Sequence, residues 1–249
     1  MIGNDIIVVE NLSVKYGQTV ILENINFTVK KGEIFLIVGG SGCGKSTLLR
    51  QLIGLEKPTS GSIFINGTDF VNANYMERKN ILQTFGILFQ SSGLFASMSL
   101  YENLRLLLDT YTKLTEKEKE DMINIKLNAV GLTGYQWFYP AEISGGMKKR
   151  AALARAMVLD PSILFFDEPS SGLDPVTSAS MDKLTIEINK VLGTSMVIVS
   201  HDLAGILNTA DRIIMLDKSV KGIIATGTPE ELKNKSDMNI VYNFFNRIA

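Results

Sequence analysis

The sequence predicts an α/β protein with a β-rich N-terminal subdomain, a mainly parallel core sheet and an inserted helical subdomain. Three observations support this fold class. Short β-rich runs fill the first third of the chain, helical patterns without strand signals occupy its middle, and helices alternate with continuous apolar runs in the last third. That alternation is typical of a parallel sheet wrapped by helices. We therefore predict a single domain over residues 1–249, with a helical subdomain at approximately 91–155.

The composition narrows the class of function. The chain has 249 residues, of which 45% are hydrophobic, and its formal net charge is -1. This near-neutral balance argues against a protein whose main task is to bind nucleic acid. A single cysteine excludes an internal disulfide framework and fits a reducing compartment. The N-terminus lacks a secretory pattern and the uncharged stretch 80–101 is too polar to span a membrane, so we expect a cytoplasmic protein.

The N-terminal strands are predicted from short apolar runs. Three β-rich runs are separated by polar turns, at residues 6–9, 20–22 and 25–29. Residues 34–38 form a continuous apolar run, which predicts a strand buried on both faces. The run at residues 62–65 ends at Asn66-Gly67, a dipeptide typical of a two-residue hairpin turn.

Helix signals begin after the apolar run at residues 85–89. Two capping boxes predict helix starts, formed by Ser99 with Glu102 and by Thr115 with Glu118. Further buried strands are predicted at residues 163–166, 196–199 and 213–216. Asp174 followed by Pro175 predicts the N-cap and first residue of one of the intervening helices.

A complete phosphate-binding motif lies between the apolar strand at residues 34–38 and a helix. The pattern G-x-x-x-x-G-K-[ST] is matched from Gly39 to Ser46. Its glycines let main-chain N–H groups point at phosphates, and the helix N-terminus adds its dipole. Lys45 supplies a charge for the β- and γ-phosphates, and the Ser46 hydroxyl can bind Mg²⁺. The predicted nucleotide-binding residues of this loop are Gly39, Gly40, Ser41, Gly42, Cys43, Gly44, Lys45, Ser46 and Thr47.

Two adjacent carboxylates end the apolar run at residues 163–166. A buried strand that delivers Asp167 to the carboxyl edge of a sheet is suited to support a bound Mg²⁺. Glu168 can face the γ-phosphate and polarise a water molecule. Alone, this pattern fits a plain strand end equally well. Together with the phosphate-binding loop it predicts a hydrolytic site.

A second predicted anion-binding site lies at the start of another helix. Ser144, Gly145 and Gly146 combine a hydroxyl, main-chain N–H groups and a helix N-terminus. Two such anion-binding sites in one chain imply two halves of one nucleotide site. Residues 143–147 resemble the signature motif of ABC-transporter ATPases, which usually reads Leu-Ser-Gly-Gly-Gln. The resemblance implies the P-loop NTPase fold of that family, ATP as the substrate and Mg²⁺ as the cofactor.

The remaining motifs occur in the family's order, and the resemblance implies their roles. Tyr16 resembles the aromatic residue that stacks on adenine, and Gln90 resembles the glutamine of the Q-loop. Residues 171–174 resemble the D-loop that contributes Asp174, and His201, the single histidine, resembles the switch histidine. The implied catalytic residues are Lys45, Glu168 and His201, and the implied metal-binding residues are Ser46, Gln90 and Asp167. The residues implied to bind ATP across a dimer are Ser144, Gly145 and Gly146.

Departures from the usual signature motif indicate a subfamily. Ile143 and Met147 replace the usual leucine and glutamine. Residues 89–103 and 144–157 resemble the ATPases of MCE-associated, Mla-type phospholipid transport systems. The resemblance implies a homodimer on the cytoplasmic face of the inner membrane, with an integral-membrane permease and an MCE-domain lipid-binding protein as partners. The chain ends soon after residues 241–245, so we expect no C-terminal tail that reaches a neighbouring subunit.

The permease is expected to dock near residues 91–108. Leu94 and Phe95 lie there in a Ser/Gly-rich stretch before the Ser99 cap, where a loop would leave them near the surface. Other apolar residues of this segment must cover the core of the helical subdomain. An exposed apolar patch marks a docking site, so we predict that Phe95 contacts the permease.

Three alternatives compete with a phospholipid transporter. The nearest one is the ATPase subunit of another ABC importer or exporter, for amino acids, ions or drugs. A soluble ABC ATPase is less favoured because this chain has one predicted domain and no basic patch. A P-loop GTPase would leave the Ser-Gly-Gly motif unexplained.

Overall fold

The structure, a computed structural model, describes residues 4–248, and these form two sheets. Its strands are β1 (Asp5–Tyr16), β2 (Thr19–Lys30), β3 (Ile34–Gly39), β4 (Ser60–Ile65), β5 (Thr68–Asp69), β6 (Phe85–Leu88), β7 (Ile163–Asp167), β8 (Ser195–Val199), β9 (Arg212–Asp217) and β10 (Gly222–Gly227). The N-terminal sheet has the order β2-β1-β4-β5, and the core sheet has the order β10-β9-β3-β8-β7-β6.

The core sheet places several strand ends side by side. Its strands from β9 to β6 pair in parallel, whereas β10 is antiparallel to β9. The predicted mainly parallel sheet is therefore confirmed. All of β3 is buried, as its continuous apolar run predicts. Because the carboxyl ends of parallel strands meet at one edge, the loops after β3, β6, β7 and β8 converge there.

The first two strands of the N-terminal sheet are longer than predicted. The polar residues around 10 and 23 predict turns, but β1 and β2 continue through them as strands of 12 residues each. Asn11 and Asn24 have φ angles of 50° and 51° at these points. Asparagine tolerates the left-handed conformation, so the strands shift register there without ending. The predicted hairpin at Asn66-Gly67 is confirmed, since it joins β4 to β5.

The helices surround the core sheet and fill the segment between β6 and β7. They are α1 (Lys45–Leu52), α2 (Tyr75–Leu82), α3 (Leu100–Tyr111), α4 (Glu116–Ala129), α5 (Gly145–Ala156), α6 (Pro175–Leu192), α7 (Leu203–Thr209), α8 (Pro229–Lys233) and α9 (Asn239–Asn246). Both predicted capping boxes are present, at the starts of α3 and α4. Asp174 caps α6 by accepting hydrogen bonds from the main-chain N–H groups of Val176 and Thr177. Among residues 4–248, no helix is long and apolar enough to cross a bilayer.

The helical segment has its own apolar contacts with the core sheet. Leu100, Leu104 and Leu108 of α3 are buried in one cluster with residues of α4, α5 and β7. Tyr101 is also buried, so this part of the predicted docking segment belongs to the core. Phe95, in contrast, is 51% exposed in the loop before α3, which confirms its predicted position near the surface.

Candidate nucleotide site

The phosphate-binding loop and three other predicted residues line one cavity at the carboxyl edge of the core sheet. This cavity has a volume of about 620 Å³. Gln90 follows β6, Glu168 follows β7 and His201 follows β8, and all three line it. The loop residues that line it are Gly39, Gly40, Ser41, Gly42, Gly44, Lys45, Ser46 and Thr47.

The loop has the geometry that its glycines permit. Gly39 has a φ of 144°, and a Cβ built there would lie 2.3 Å from the main-chain oxygen of Leu216. Gly44, at the N-cap of α1, has a φ of 102°. Lys45 Nζ donates hydrogen bonds to the carbonyl oxygens of Gly39 and Gly40, at 2.9 and 3.0 Å. The side chain of Cys43 is buried in the core, so only its main chain can face a phosphate.

An oxygen pair beside the loop suits Mg²⁺. Ser46 Oγ donates a hydrogen bond to Asp167 Oδ1 at 3.5 Å. Burial raises the pKa of the Asp167 carboxyl, and the nearby Glu168 carboxylate raises this pKa further. Mg²⁺ is usually held by one or two protein oxygens together with substrate phosphates and water, and this donor set fits that description. Residues 4–248 contain no cluster of three His, Cys, Asp or Glu side chains that would hold a metal without a substrate.

Glu168 and His201 form a pair at the edge of the sheet. His201 Nδ1 lies 2.7 Å from Glu168 Oε2, and the main-chain N–H of His201 donates to the same oxygen at 3.3 Å. The His201 side chain is 66% exposed, whereas the Glu168 side chain is 11% exposed. Glu168 also has a left-handed φ of 50°, a strained conformation for a residue other than glycine. The neighbouring strands β7 and β8 thus hold a carboxylate and an imidazole together at the cavity.

Gln90 connects this cavity to the D-loop segment. Its Nε2 donates a hydrogen bond to Ser171 Oγ at 3.3 Å. Asp174, predicted to lie near ATP, is at the N-cap of α6 and does not line the cavity. Hydrogen bonds from the Thr177 side chain and main chain hold the pKa of the Asp174 carboxyl below its usual value. The structure therefore gives Asp174 a capping contact within its own chain.

Tyr16 lies at the end of β1, outside the cavity lining. Its side chain is 47% exposed, and its hydroxyl donates a hydrogen bond to Glu56. Glu56 also accepts hydrogen bonds from Gln51 Nε2 at 3.1 Å and from Arg50 Nη1 at 3.4 Å, both on α1. The bond to Glu56 is the main reason that the pKa of Tyr16 is raised. An exposed ring held in this way offers a flat surface for a base.

Residues 143–147, the signature segment, lie apart from the phosphate cavity of their own chain. Ser144 caps α5, since its Oγ accepts a hydrogen bond from the main-chain N–H of Met147 at 3.3 Å. Ser144 and Gly145 are exposed, and neither they nor Gly146 line the cavity. This separation fits the expectation that the segment acts on a second subunit.

Several residues at the site were not predicted from the sequence. Ile21 of β2 and Phe244 of α9 line the phosphate cavity, and Glu56 holds Tyr16. The sequence analysis predicts no helix at α9, so it could not place Phe244 at the cavity. The Asn-Lys-x-Asp pattern of guanine-binding GTPases occurs at residues 234–237, and none of these residues lines the cavity.

Known proteins resemble this chain along most of its length. A family model described as ABC transporter matches residues 22–171. The Haemophilus influenzae protein named "Intermembrane phospholipid transport system ATP-binding protein MlaF" is 39% identical over 240 residues, which cover 96% of this chain and 90% of that protein. The Mycobacterium tuberculosis protein named "Probable ribonucleotide transport ATP-binding protein mkl" is 42% identical over 238 residues. That alignment covers 96% of this chain and 66% of the mycobacterial protein, so the chain spans about two thirds of its length.

Solved structures share the fold. CbiO1 from Clostridium perfringens, described as part of the ABC transporter complex cbiONQ, has a TM-score of 0.86 and 30% identity, covering 99% of this chain and 98% of that one. The ATP-binding cassette MJ0796, solved as a post-hydrolysis dimer with ADP and Pi, has a TM-score of 0.79 and 28% identity. It covers 89% of this chain and 98% of that one. The predicted fold class is confirmed.

Proposed function

This chain belongs to the ABC transporter family as an ATP-binding, ATP-hydrolysing subunit, and we propose that its ATPase activity powers phospholipid transport through a membrane permease. The observation that carries the phospholipid assignment is the 39% identity to the H. influenzae phospholipid transport protein, which this chain matches over 90% of that protein's length. The E. coli protein of the same name is 37% identical, over 85% of its length.

The cavity residues have distinct tasks in the proposed hydrolysis. Lys45 and the main-chain N–H groups of the loop bind the β- and γ-phosphates. Ser46 and Gln90 would bind Mg²⁺, Asp167 would support the ion through its contact with Ser46, and the ion would supply positive charge that offsets the charge of the phosphates. Glu168 accepts a hydrogen bond from the attacking water and orients it. His201, fixed by Glu168 through Nδ1, directs its other ring nitrogen towards the γ-phosphate.

Two copies of the chain complete each ATP site in this proposal. Tyr16 and the phosphate-binding loop of one subunit hold the nucleotide. Ser144, Gly145 and Gly146 of the partner subunit then cap the γ-phosphate with a hydroxyl and the N-terminus of α5. The separation of the signature segment from its own cavity supports this arrangement, and so does the dimeric form of the similar MJ0796 cassette.

A groove beside the helical segment is the proposed permease contact. Its volume is about 820 Å³, and α2, α3, β6 and the end of α5 contribute to its walls. Exposed apolar side chains line it, among them Tyr75, Leu82, Phe95, Leu106 and Tyr111. We propose that a permease helix on the cytoplasmic face of the inner membrane docks here, with an MCE-domain protein as the further lipid-binding partner.

Phe95→Asp tests the docking proposal. Phe95 is 51% exposed, so the substitution should leave folding and ATP binding intact. It should weaken assembly with the permease by about 2 kcal/mol or more, as for a lost interface anchor. Co-purification from membranes and ATP titration of the isolated chain measure the two effects. Val191→Asp, at an 81% exposed site outside the groove, is the matched control. Wild-type assembly of Phe95→Asp would refute the contact.

A second function is favoured by a separate observation. The mycobacterial protein named for ribonucleotide transport is 42% identical, and a Mannheimia succiniciproducens protein named "Methionine import ATP-binding protein MetN" is 37% identical over 223 residues. The chain covers 64% of the latter, so less of each of these relatives is matched than of the phospholipid transport protein. A transporter of small polar solutes is therefore the alternative.

Transport by the reconstituted complex decides between these functions. The chain is co-purified with its permease, placed in vesicles and supplied with ATP, and the movement of labelled phospholipid, methionine and ribonucleotide is measured. We expect ATP-dependent movement of phospholipid alone, and none with Glu168→Gln. Movement of methionine or ribonucleotide without phospholipid would replace the proposal with its alternative.

A further inference from the structure

Lys149 links helix α5 to two segments of the candidate nucleotide site. It lies on α5, and only 6% of the residue is exposed. Its Nζ donates a hydrogen bond to the main-chain oxygen of Gln90 at 2.5 Å and another to that of Glu168 at 3.4 Å. One buried side chain therefore joins α5 to the Q-loop and to the proposed catalytic carboxylate residue.

The burial of this ammonium group is costly and needs an explanation. A buried charge is unfavourable unless it is paired and hydrogen-bonded. Burial lowers the pKa of Lys149, although the Asp167 and Glu168 carboxylates act in the opposite direction. Within residues 4–248, Lys149 forms no ion pair, and its hydrogen-bond acceptors are the two carbonyl oxygens. An apolar side chain would avoid the desolvation cost, so a lysine contributes these two hydrogen bonds and its attraction to the Asp167 and Glu168 carboxylates.

Both carbonyl oxygens belong to residues that follow strands of the core sheet and line the nucleotide cavity. Glu168 is held in a left-handed conformation, and its oxygen also accepts a hydrogen bond from the main-chain N–H of Ser171 at 3.1 Å. Gln90 begins the turn that leads to Gly93, and Arg155 of α5 donates to the Gly93 oxygen at 2.6 Å. Helix α5 thus holds this turn at two points, and Lys149 extends the contact to Glu168.

We propose that Lys149 is a positioning residue that fixes the main chain of Gln90 and Glu168 relative to α5. This inference rests on the proposed function, since it assumes that Glu168 and Gln90 serve ATP hydrolysis. Ser144, at the start of the same helix, would contact the nucleotide of the partner subunit. A displacement of α5 by that nucleotide, or of the turn at Gly93 by the permease, would then reach Glu168 through one side chain.

Lys149→Met tests the proposal in the 249-residue chain. The variant keeps an unbranched side chain but removes every N–H donor. We expect kcat for ATP hydrolysis to fall about tenfold or more, since small displacements of reacting groups are costly, while the Kd for ATP stays within about twofold. Lys149→Arg, which keeps the charge and the donors, should recover most of the rate. Lys148→Met is the matched control, since the Lys148 side chain makes no hydrogen bond or ion pair among residues 4–248 and the substitution removes the same charge.

Glu168→Gln, assayed in parallel, distinguishes failure of the positioning role from failure of the proposed catalytic role of Glu168. If Glu168→Gln is inactive and Lys149→Met hydrolyses ATP at the wild-type rate, the positioning role is refuted and the catalytic assignment survives. If Glu168→Gln is fully active, the catalytic assignment itself fails. An equal loss of binding and turnover in Lys149→Met, with no recovery in Lys149→Arg, would indicate a purely structural lysine and also refute the proposal. Should Lys149→Met not fold, Lys149→Gln replaces it, because its shorter amide cannot bridge both oxygens, and a wild-type kcat refutes the role.

Discussion

The phosphate end and the base end of the candidate site are built in different ways. At the phosphate end, Glu168 and His201 follow neighbouring strands of a buried sheet and lie within 2.7 Å of each other. At the base end, Tyr16 is exposed on the N-terminal sheet and is held by the carboxylate of Glu56. In the proposed function, strand order fixes the positions of the reacting groups, whereas base recognition would depend on one surface ring. Substitutions at the first end should change kcat, and substitutions at the second should change nucleotide affinity.

The largest effect is expected for Glu168→Gln at the phosphate end. Glutamine keeps the shape of the side chain but cannot act as a carboxylate, so the variant should bind ATP and hydrolyse it about 10²-fold more slowly or worse. Single-turnover hydrolysis and ATP retention after gel filtration measure the two quantities. A wild-type rate would contradict the catalytic role of the phosphate end, because Glu168, the strained residue after β7, would then have no part in the chemistry.

His201→Ala should give the next largest effect. Losing an interaction made mainly in the transition state lowers kcat more than it changes KM, and we expect kcat to fall about tenfold to a hundredfold. Because the imidazole is 66% exposed, the Tm should stay within about 2 °C of the wild-type value. Thermal melts beside nucleotide titrations check this. A large drop in Tm with a proportionate loss of binding would assign His201 to structure.

Tyr16 variants should give the smallest effects, and these should appear in affinity alone. Tyr16→Ala removes base stacking, so the Kd for ATP should rise about tenfold, while the Kd for inorganic triphosphate stays unchanged. Tyr16→Phe removes only the bond to Glu56 and should raise the Kd for ATP about twofold to fivefold. Since stacking tolerates any base, GTP should be weakened as much as ATP. Equal weakening of triphosphate would show that Tyr16 does not contact the base.

The local parts of the fold could be predicted because their signals are local. The loop from Gly39 to Ser46, the capping boxes at Ser99 and Thr115 and the cap at Asp174 each depend on residues a few positions apart. α2 was missed although Asn74 and Glu77 form a capping box there. That helix buries only one residue, Ile81, so the hydrophobic period that normally reveals a helix is absent.

The parts that could not be predicted depend on contacts between distant residues. Glu56 lies 40 positions from Tyr16, and Lys149 lies 59 positions from Gln90. No spacing rule relates such pairs, since tertiary packing alone brings them together. Phe244 likewise reaches the phosphate cavity because α9 packs back against the chain. The sequence predicts which residues perform the chemistry, but the residues proposed to position them can be identified only in three dimensions.

Natural selection at Gly39 would act on the packing of the sheet before it acts on nucleotide binding. The carbonyl of Leu216, on the adjacent strand β9, lies where any side chain at Gly39 would begin. A population of random variants at this position would therefore be depleted even in cells that do not need transport, provided that misfolded protein is removed. Invariance at Gly39 would then reflect the close spacing of two strands, whereas invariance at Lys45 would reflect the binding of a phosphate.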